Sequence, residues 1–333
     1  METYGIIRYR SLFGALAVLV GILFIPGNGM LVSFAQTPAA ATNGQSGKDS
    51  ASANQQEAIP ADHYDPDDSK TFSEVITEDR DISVRGRQLT VHFYRPERDS
   101  PAIPAIYACG DGGWRGLAPR TAEQLAHEGF AVAGIDSKVY LRNFSTAQDP
   151  LTIQLLAADY SEIAKALREY AKADAHAPVY VYGWSLGAGF AVAVGSDATT
   201  RANWAGIISI GLPAQNQLVS GLRGNHADLR NPANSRYGFR AENVMPALSP
   251  VPLVMIQSTT DTASPQKVGK ALYSAARDPK LYVLIKANNH RFSGAREEFY
   301  SALANAVNWI RQTRVDAANA DHAIGVKSSR GAE

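Results

Sequence analysis

Sixteen consecutive residues constrain this chain more than any other feature. Val179-Tyr180-Val181-Tyr182 is an apolar run, Gly183-Trp184-Ser185-Leu186-Gly187 follows at once, and residues 188–194 are small and apolar. A strand that passes into a helix through so short a turn leaves no room for a Cβ two positions before or after the serine, and both positions are glycine. The serine is thereby pushed out at the carboxyl edge of a sheet. This is the pattern of a nucleophile elbow, with Ala188 and Gly189 letting the helix lie close to its strand.

A serine hydroxyl is a weak nucleophile near neutral pH, so Ser185 needs a base, and the base an orienting acid, in the chain order serine, acid, histidine. Residues 252–256 read as a buried strand that runs through Gln257-Ser258-Thr259-Thr260 into Asp261, with a helix opening near Ser264-Pro265. Residues 281–285 read as the next strand, ending in Lys286-Ala287-Asn288-Asn289-His290 ahead of a last helix from about Ala295 to Arg311. Chemistry in an open parallel sheet gathers outside the carboxyl ends of its strands, which puts Ser185, Asp261 and His290 at one edge.

The other histidines compete poorly. His63 lies in a polar leader, His322 in the C-terminal tail and His92 in an alternating strand pattern, while His127 and His176 fall between a helix and the next strand, at the opposite edge. His226 is the one rival, in an irregular segment that could cover the site. Asp136 also ends a strand, but it precedes the serine and breaks the expected order, which leaves Asp261 as the acid.

Acyl transfer also needs donors aimed at a developing oxyanion. Residues 103–109 read as a strand followed by Gly110-Asp111-Gly112-Gly113-Trp114, a loop able to turn its amides inward. The expected donors are the N–H of Leu186 and that of Asp111 or Gly112.

Three motifs together, Gly110-Asp111-Gly112-Gly113-Trp114, Gly134-Ile135-Asp136-Ser137 with Tyr140-Leu141, and Gly183-Trp184-Ser185-Leu186-Gly187-Ala188, resemble the VirJ/AcvB family of bacterial virulence proteins. The resemblance covers residues 102–189. It implies a periplasmic α/β-hydrolase acting on the aminoacyl ester of lysyl-phosphatidylglycerol, with Ser185 as nucleophile and the Gly110 loop beside it. Residues 258–261 and 288–292 resemble the acid and base loops of hydrolases in general.

The expected architecture is an α/β-hydrolase fold: a mostly parallel sheet with helices on both faces and an irregular cap insert, residues 214–249, between the sixth and seventh strands. Formal charge is zero and 45% of residues are apolar, so no nucleic-acid partner is implied and roughly 250 residues can bury a full core. Arg8 and Arg10 precede an uncharged run, residues 12–25, and Ser33-Phe34-Ala35 puts small residues where a signal peptidase reads. Residues 1–35 are therefore expected to be an export signal cut near Ala35 or, if uncleaved, a membrane anchor. Cys109 is the only cysteine, which excludes an intrachain disulfide and a lipid-bearing thiol in the leader.

Residues 36–70 lack an apolar period and read as a disordered linker; residues 71–314 form the hydrolase domain, and 315–333 a flexible tail. The domain opens with an alternating hairpin over residues 82–94. Ile153, Leu156, Tyr160, Ile163 and Leu167 then form a helical stripe suited to packing on the sheet.

In the insert Arg223, Arg230, Arg236 and Arg240 face only Asp228 and Glu242, and Arg115, Lys138 and Arg142 fall in loops at the carboxyl edge. With Trp114, Trp184 and Tyr140, the cations Lys138, Arg142, Arg223 and Arg230 are the expected substrate contacts, suited to an anionic lipid ester and to a membrane surface. No cofactor is implied: the chain has no metal-ligand cluster, and the glycine loop lacks the lysine and spacing of a phosphate cradle. Two further readings stand beside the lipid hydrolase, namely a generic short-acyl esterase and a non-catalytic binding protein on a hydrolase scaffold. The sequence leaves the oligomeric state open.

Overall fold

A computed structural model of the chain describes residues 21–23, 30–33, 72–220 and 227–330. Two short strands come first, β1 (Gly21–Leu23) and β2 (Met30–Ser33). The hairpin follows as β3 (Val75–Val84) and β4 (Arg87–Pro96), longer than the sequence pattern suggested. It turns through Arg85 and Gly86, at φ 49 and 73, which suits the right-handed twist of a two-residue hairpin loop.

The next strands are β5 (Ile103–Ala108), β6 (Phe130–Ile135), β7 (Val179–Trp184) and β8 (Trp204–Ile210). After the insert strands β9 (Gln215–Gln217) and β10 (Gly238–Arg240) come β11 (Leu253–Ser258) and β12 (Lys280–Ile285). The main sheet has ten strands in the order β1-β2-β12-β11-β8-β7-β5-β6-β4-β3. From β2 to β6 every neighbouring pair is parallel, and the two edges are antiparallel. Strands β6, β7, β8 and β11 are buried at every residue, as predominantly apolar runs in a sheet covered on both faces must be.

One face packs against α1 (Leu117–His127) and α7 (Arg296–Arg330). The other carries α2 (Ser137–Phe144), α3 (Ile153–Tyr170), α4 (Leu186–Ser196) and, beyond α5 (Ala241–Val244) of the insert, α6 (Gln266–Ala275). Helix α3 starts where the Thr152 hydroxyl accepts the Leu155 N–H at 3.1 Å. Its stripe behaves as expected: Leu156, Tyr160, Ile163 and Leu167 are wholly buried, each worth about 1.5–3 kcal/mol in removed apolar surface.

Parts of both ends of the chain are described as well. Residues 21–23 and 30–33, inside the expected leader, lie on the sheet, with Met30 in register with Leu281. Among the described residues no helix is long and apolar enough to cross a membrane. At the other end α7 continues as helix to Arg330, through most of the segment read as a tail, because nothing in residues 312–330 is a proline and the only glycine is Gly325.

The described part of the insert is an antiparallel pair, β9 with β10, a 3₁₀ stretch, Pro232–Tyr237, ahead of β10, then α5 and a 3₁₀ turn, Met245–Leu248. Met245 and Leu248 are buried in the core that also holds α4, so this half of the insert buttresses the elbow helix. Leu218 fastens the other half: its carbonyl accepts the Ser145 hydroxyl at 2.7 Å and the Leu151 N–H at 3.1 Å.

Candidate active site

Ser185 sits between β7 and α4 at φ 56 and ψ −115, a conformation L-residues avoid and one that costs of order 1–3 kcal/mol. The neighbours over-determine it. The Ser185 N–H donates to Ile210 O at 2.9 Å and the Gly187 N–H to Cys109 O at 3.1 Å, which ties the turn to both flanking strands. A Cβ on Gly183 would run into the Gly187 carbonyl, and one on Gly187 into the carbonyl of Ala108. The elbow is therefore wedged in place by the backbone around it.

Asp261, 4% exposed, follows β11 and is held by three donors. His290 Nδ1 lies 2.6 Å from its Oδ2, the Gln257 side-chain amide donates to the same oxygen at 3.0 Å, and the Ser264 N–H donates to Oδ1 at 2.7 Å. A carboxylate only accepts, so this contact puts the ring proton on Nδ1 and leaves Nε2 as the acceptor. Gln257 is locked in turn by donating to Ser264 O at 2.5 Å, while the Ser264 hydroxyl donates to Leu212 O at 2.5 Å.

His290 is fastened to the elbow by the residue before the serine. The Trp184 indole N–H donates to His290 O at 3.2 Å, and the two rings lie 5.4 Å apart, tilted by 31°. Beneath them Gly211 adopts φ 59, and a Cβ there would stand 2.7 Å from His290 Cε1 and 3.4 Å from Asp261 Oδ2. The sheet edge thus brings elbow, acid and imidazole together. One link is not made: the Ser185 hydroxyl forms no hydrogen bond with His290, whose Nε2 is buried without a partner.

The glycine loop lies against the elbow, since a Cβ on Gly110 would stand 3.3 Å from that of Ser185. Among the described residues the N–H groups of Leu186, Asp111 and Gly112 donate to no protein acceptor, so all three expected donors are unspent. Cys109, just before the loop, is buried, and that burial pushes its thiol up to about 12, which rules it out as a competing nucleophile near neutral pH.

The expected substrate contacts fare unevenly. Tyr140 is corrected: wholly buried, it donates its hydroxyl to Asp159 Oδ2 at 2.5 Å and belongs to the core. Trp184, 7% exposed, packs on His290 and anchors its loop. The Trp114 ring turns away toward β4 and β6, stacked 4.9 Å from His92 with its N–H on the Tyr94 hydroxyl at 3.1 Å, and it helps line an open groove along the hairpin.

Arg230 is paired with Asp228 through two contacts of 2.9 and 3.2 Å, so one of the two acids of the insert is spent on it. Arg240 pairs with Glu242, and Arg236 stacks on Tyr237. Lys138 and Arg142 are exposed on α2 with no ion pair among the described residues. Arg223 and the rival base His226 lie outside the described residues.

Sequence reasoning missed two supports of Asp261, Gln257 and Ser264. Gln257 was legible in principle, as a polar side chain inside an otherwise apolar strand that must be buried and so needs partners.

Comparison with known proteins agrees with this architecture. The model of the family described as bacterial virulence protein (VirJ) matches residues 102–217. No curated protein matches the chain. Among solved structures, a protein assigned as a dienelactone hydrolase from Klebsiella pneumoniae superposes with a TM-score of 0.54 at 15% identity, covering 72% of this chain and 99% of the other. The α/β hydrolase GrgF from a Penicillium species gives 0.50 at 14%, covering 70% and 98%. The hypothetical protein PA2218 of Pseudomonas aeruginosa gives 0.51 at 14%, covering 74% and 98%. At such identities these likenesses establish the α/β-hydrolase fold.

Proposed function

Because residues 102–217 carry the VirJ signature on a chain with the α/β-hydrolase fold, we propose that this protein is a serine hydrolase of carboxylic esters. His290 Nε2 takes the proton of the Ser185 hydroxyl as its oxygen attacks the ester carbonyl. Asp261 holds the imidazole in the right tautomer and stabilises the imidazolium that forms. The oxyanion is received by the N–H of Leu186 and that of Asp111 or Gly112. His290 then returns its proton to the departing alcohol, and water, activated by the same imidazole, releases the acyl group from the serine.

The observation that carries this reading is the 2.6 Å contact between His290 and Asp261 at the mouth of a strained serine turn, with Trp184 joining the two loops. A fluorophosphonate probe tests it. Labelling of the wild type that vanishes in Ser185→Ala is expected, and folded wild type that resists the probe ends the proposal.

The finer reading is an exported enzyme that cleaves the aminoacyl ester of lysyl-phosphatidylglycerol, as the VirJ/AcvB resemblance implies. Arg8, Arg10 and the uncharged run behind them support export. Exposed Lys138 and Arg142 near the site support contact with an anionic lipid surface, the contribution of Arg230 being reduced by its pairing with Asp228. Vesicles containing lysyl-phosphatidylglycerol, incubated with wild type and with Ser185→Ala, separate this reading from a short-acyl esterase: Ser185-dependent loss of the aminoacylated lipid supports it, and hydrolysis of p-nitrophenyl acetate with the lipid untouched sinks it. A non-catalytic accessory role is favoured by one observation, the unmade bond between Ser185 and His290. Such bonds are often loose before substrate binds, and the probe decides between the two.

A further inference from the structure

We propose that Asp136 is a positioning residue for the oxyanion loop, a role that rests on the hydrolase reading above. Asp136 directly follows β6 and caps α2, and its two oxygens are divided between two tasks. Oδ1 accepts the N–H groups of Lys138 and Val139, each at 3.0 Å, which is an ordinary helix cap. Oδ2 faces the other way and accepts the Trp114 N–H at 3.0 Å, at the end of the glycine loop.

Between Gly110 and Trp114 the loop's backbone has few other ties. Three of the five residues in Gly110-Asp111-Gly112-Gly113-Trp114 are glycine, so its backbone has more conformations to lose than a loop of ordinary residues would. Its other backbone ties are short-range, Gly113 N–H to Gly110 O at 3.2 Å, Arg115 N–H to Gly113 O at 2.9 Å and the Cys109 thiol to Gly110 O at 3.3 Å, while at its far end the Trp114 ring is held by His92 and the Tyr94 hydroxyl. Gly113 adopts φ 85, and a Cβ there would stand 3.2 Å from Asp136 Oδ2, so the loop backbone is pressed directly onto the carboxylate.

The same helix start is pinned at the other end of the loop. The Ser137 hydroxyl donates at 2.6 Å to Cys109 O, the carbonyl that also accepts the Gly187 N–H of the elbow. Loop, elbow and α2 therefore share one junction, with the amides of Asp111 and Gly112 suspended between Cys109 and Trp114. Asp136 sets where those two N–H groups stand relative to Ser185, although it touches no substrate itself.

The division of oxygens gives a clean test. In Asp136→Asn the remaining oxygen can still cap α2 while an NH₂ group meets the Trp114 N–H, donor against donor. In Asp136→Ser the hydroxyl caps the helix but is too short to reach the loop. The measurements are hydrolysis of p-nitrophenyl butyrate, inhibition by an alkyl trifluoromethyl ketone, which forms a tetrahedral adduct with a serine, and Tm, each for wild type, both variants and Ser185→Ala.

In both variants kcat is expected to fall about 10- to 100-fold with KM within about threefold, and the ketone to bind weaker by a similar factor. Tm is expected to remain near that of the wild type. Unchanged kcat and ketone affinity overturn the proposal, as does a loss confined to KM or one that tracks a fall in Tm. If wild type hydrolyses the ester no faster than Ser185→Ala, the hydrolase reading itself has failed and the proposal goes with it; activity that depends on Ser185 but not on Asp136 sinks the proposal alone.

Discussion

Asp159 and Asp261 are both buried carboxylates, 1% and 4% exposed, and each makes a short bond to a ring-bearing side chain. Their surroundings divide them. Asp159 accepts the Tyr140 hydroxyl at 2.5 Å and a two-pronged Arg85 guanidinium, with Nε at 2.8 Å and Nη2 at 2.9 Å. These partners come from α2 and from the turn of the opening hairpin, so the cluster bolts three pieces of scaffold together, and the contacts end there. Asp261 is fixed just as firmly by Gln257 and Ser264, but its third partner is an imidazole with a spare nitrogen at the carboxyl edge of the sheet. A buried carboxylate surrounded only by fixed donors is framework, whereas one that hands its contact on to a titratable ring beside a strained serine is placed to do chemistry.

The largest effect expected from this contrast is catalytic. Asp261→Asn preserves shape but removes the acceptor that selects the His290 tautomer, and kcat should fall about 10³- to 10⁴-fold with only a small change in Tm. Steady-state hydrolysis of a p-nitrophenyl ester alongside a thermal melt checks both halves; activity within tenfold of wild type would mean that Asp261 is framework too. Asp159→Ala is its mirror image. It strands the buried Tyr140 hydroxyl and leaves Arg85 unpaired, so stability should drop by about 2–4 kcal/mol while kcat of the folded protein holds. Urea unfolding measures the first and active-site-titrated kinetics the second. A fall in kcat larger than the fall in stability would erase the distinction between the two carboxylates.

The same contrast explains what the sequence made legible. Ser185, its flanking glycines, Asp261 and His290 were accessible because each lies just beyond a strongly apolar strand, and strand ends in a parallel sheet fix which edge a residue occupies. Tyr140 was misread for the same reason: it follows β6 at the productive edge, and nothing local reveals that Asp159, nineteen residues on, will take its hydroxyl. Asp136 was set aside as the acid by chain order, and its part in holding Trp114 is a contact between two loops that no periodicity records. The cation surplus of the insert was counted over the whole segment, which does not say that Asp228, two residues away, pairs with Arg230 in particular. Patterns with a period survive in sequence; contacts between loops do not.

A smaller effect sharpens the catalytic side. Trp184→Phe keeps a ring against His290 but removes the N–H that donates to His290 O, one neutral hydrogen bond worth about 1 kcal/mol. The expected result is a loss in kcat of about three- to tenfold with little change in KM, because the bond orients the base and does not bind the ester. A loss wholly in KM would place Trp184 among the substrate contacts instead.

The smallest expected effect lies on the framework side and concerns pH. Burial is the dominant influence on Asp159 and holds its carboxyl above the ordinary value of 3.8, outweighing the bonds from Tyr140 and Arg85 that favour the charged form. The folded state then keeps this proton more tightly than the unfolded chain does. The stability it contributes is complete below the unfolded pKa and is lost as pH rises through the folded one. The margin by which wild type exceeds Asp159→Asn in urea should therefore be widest in acid and narrow as pH climbs past the ordinary carboxylate value. A margin that widens over that range would mean that the ion pair with Arg85 dominates burial, making the framework cluster an electrostatic clamp that tightens as Asp159 ionises.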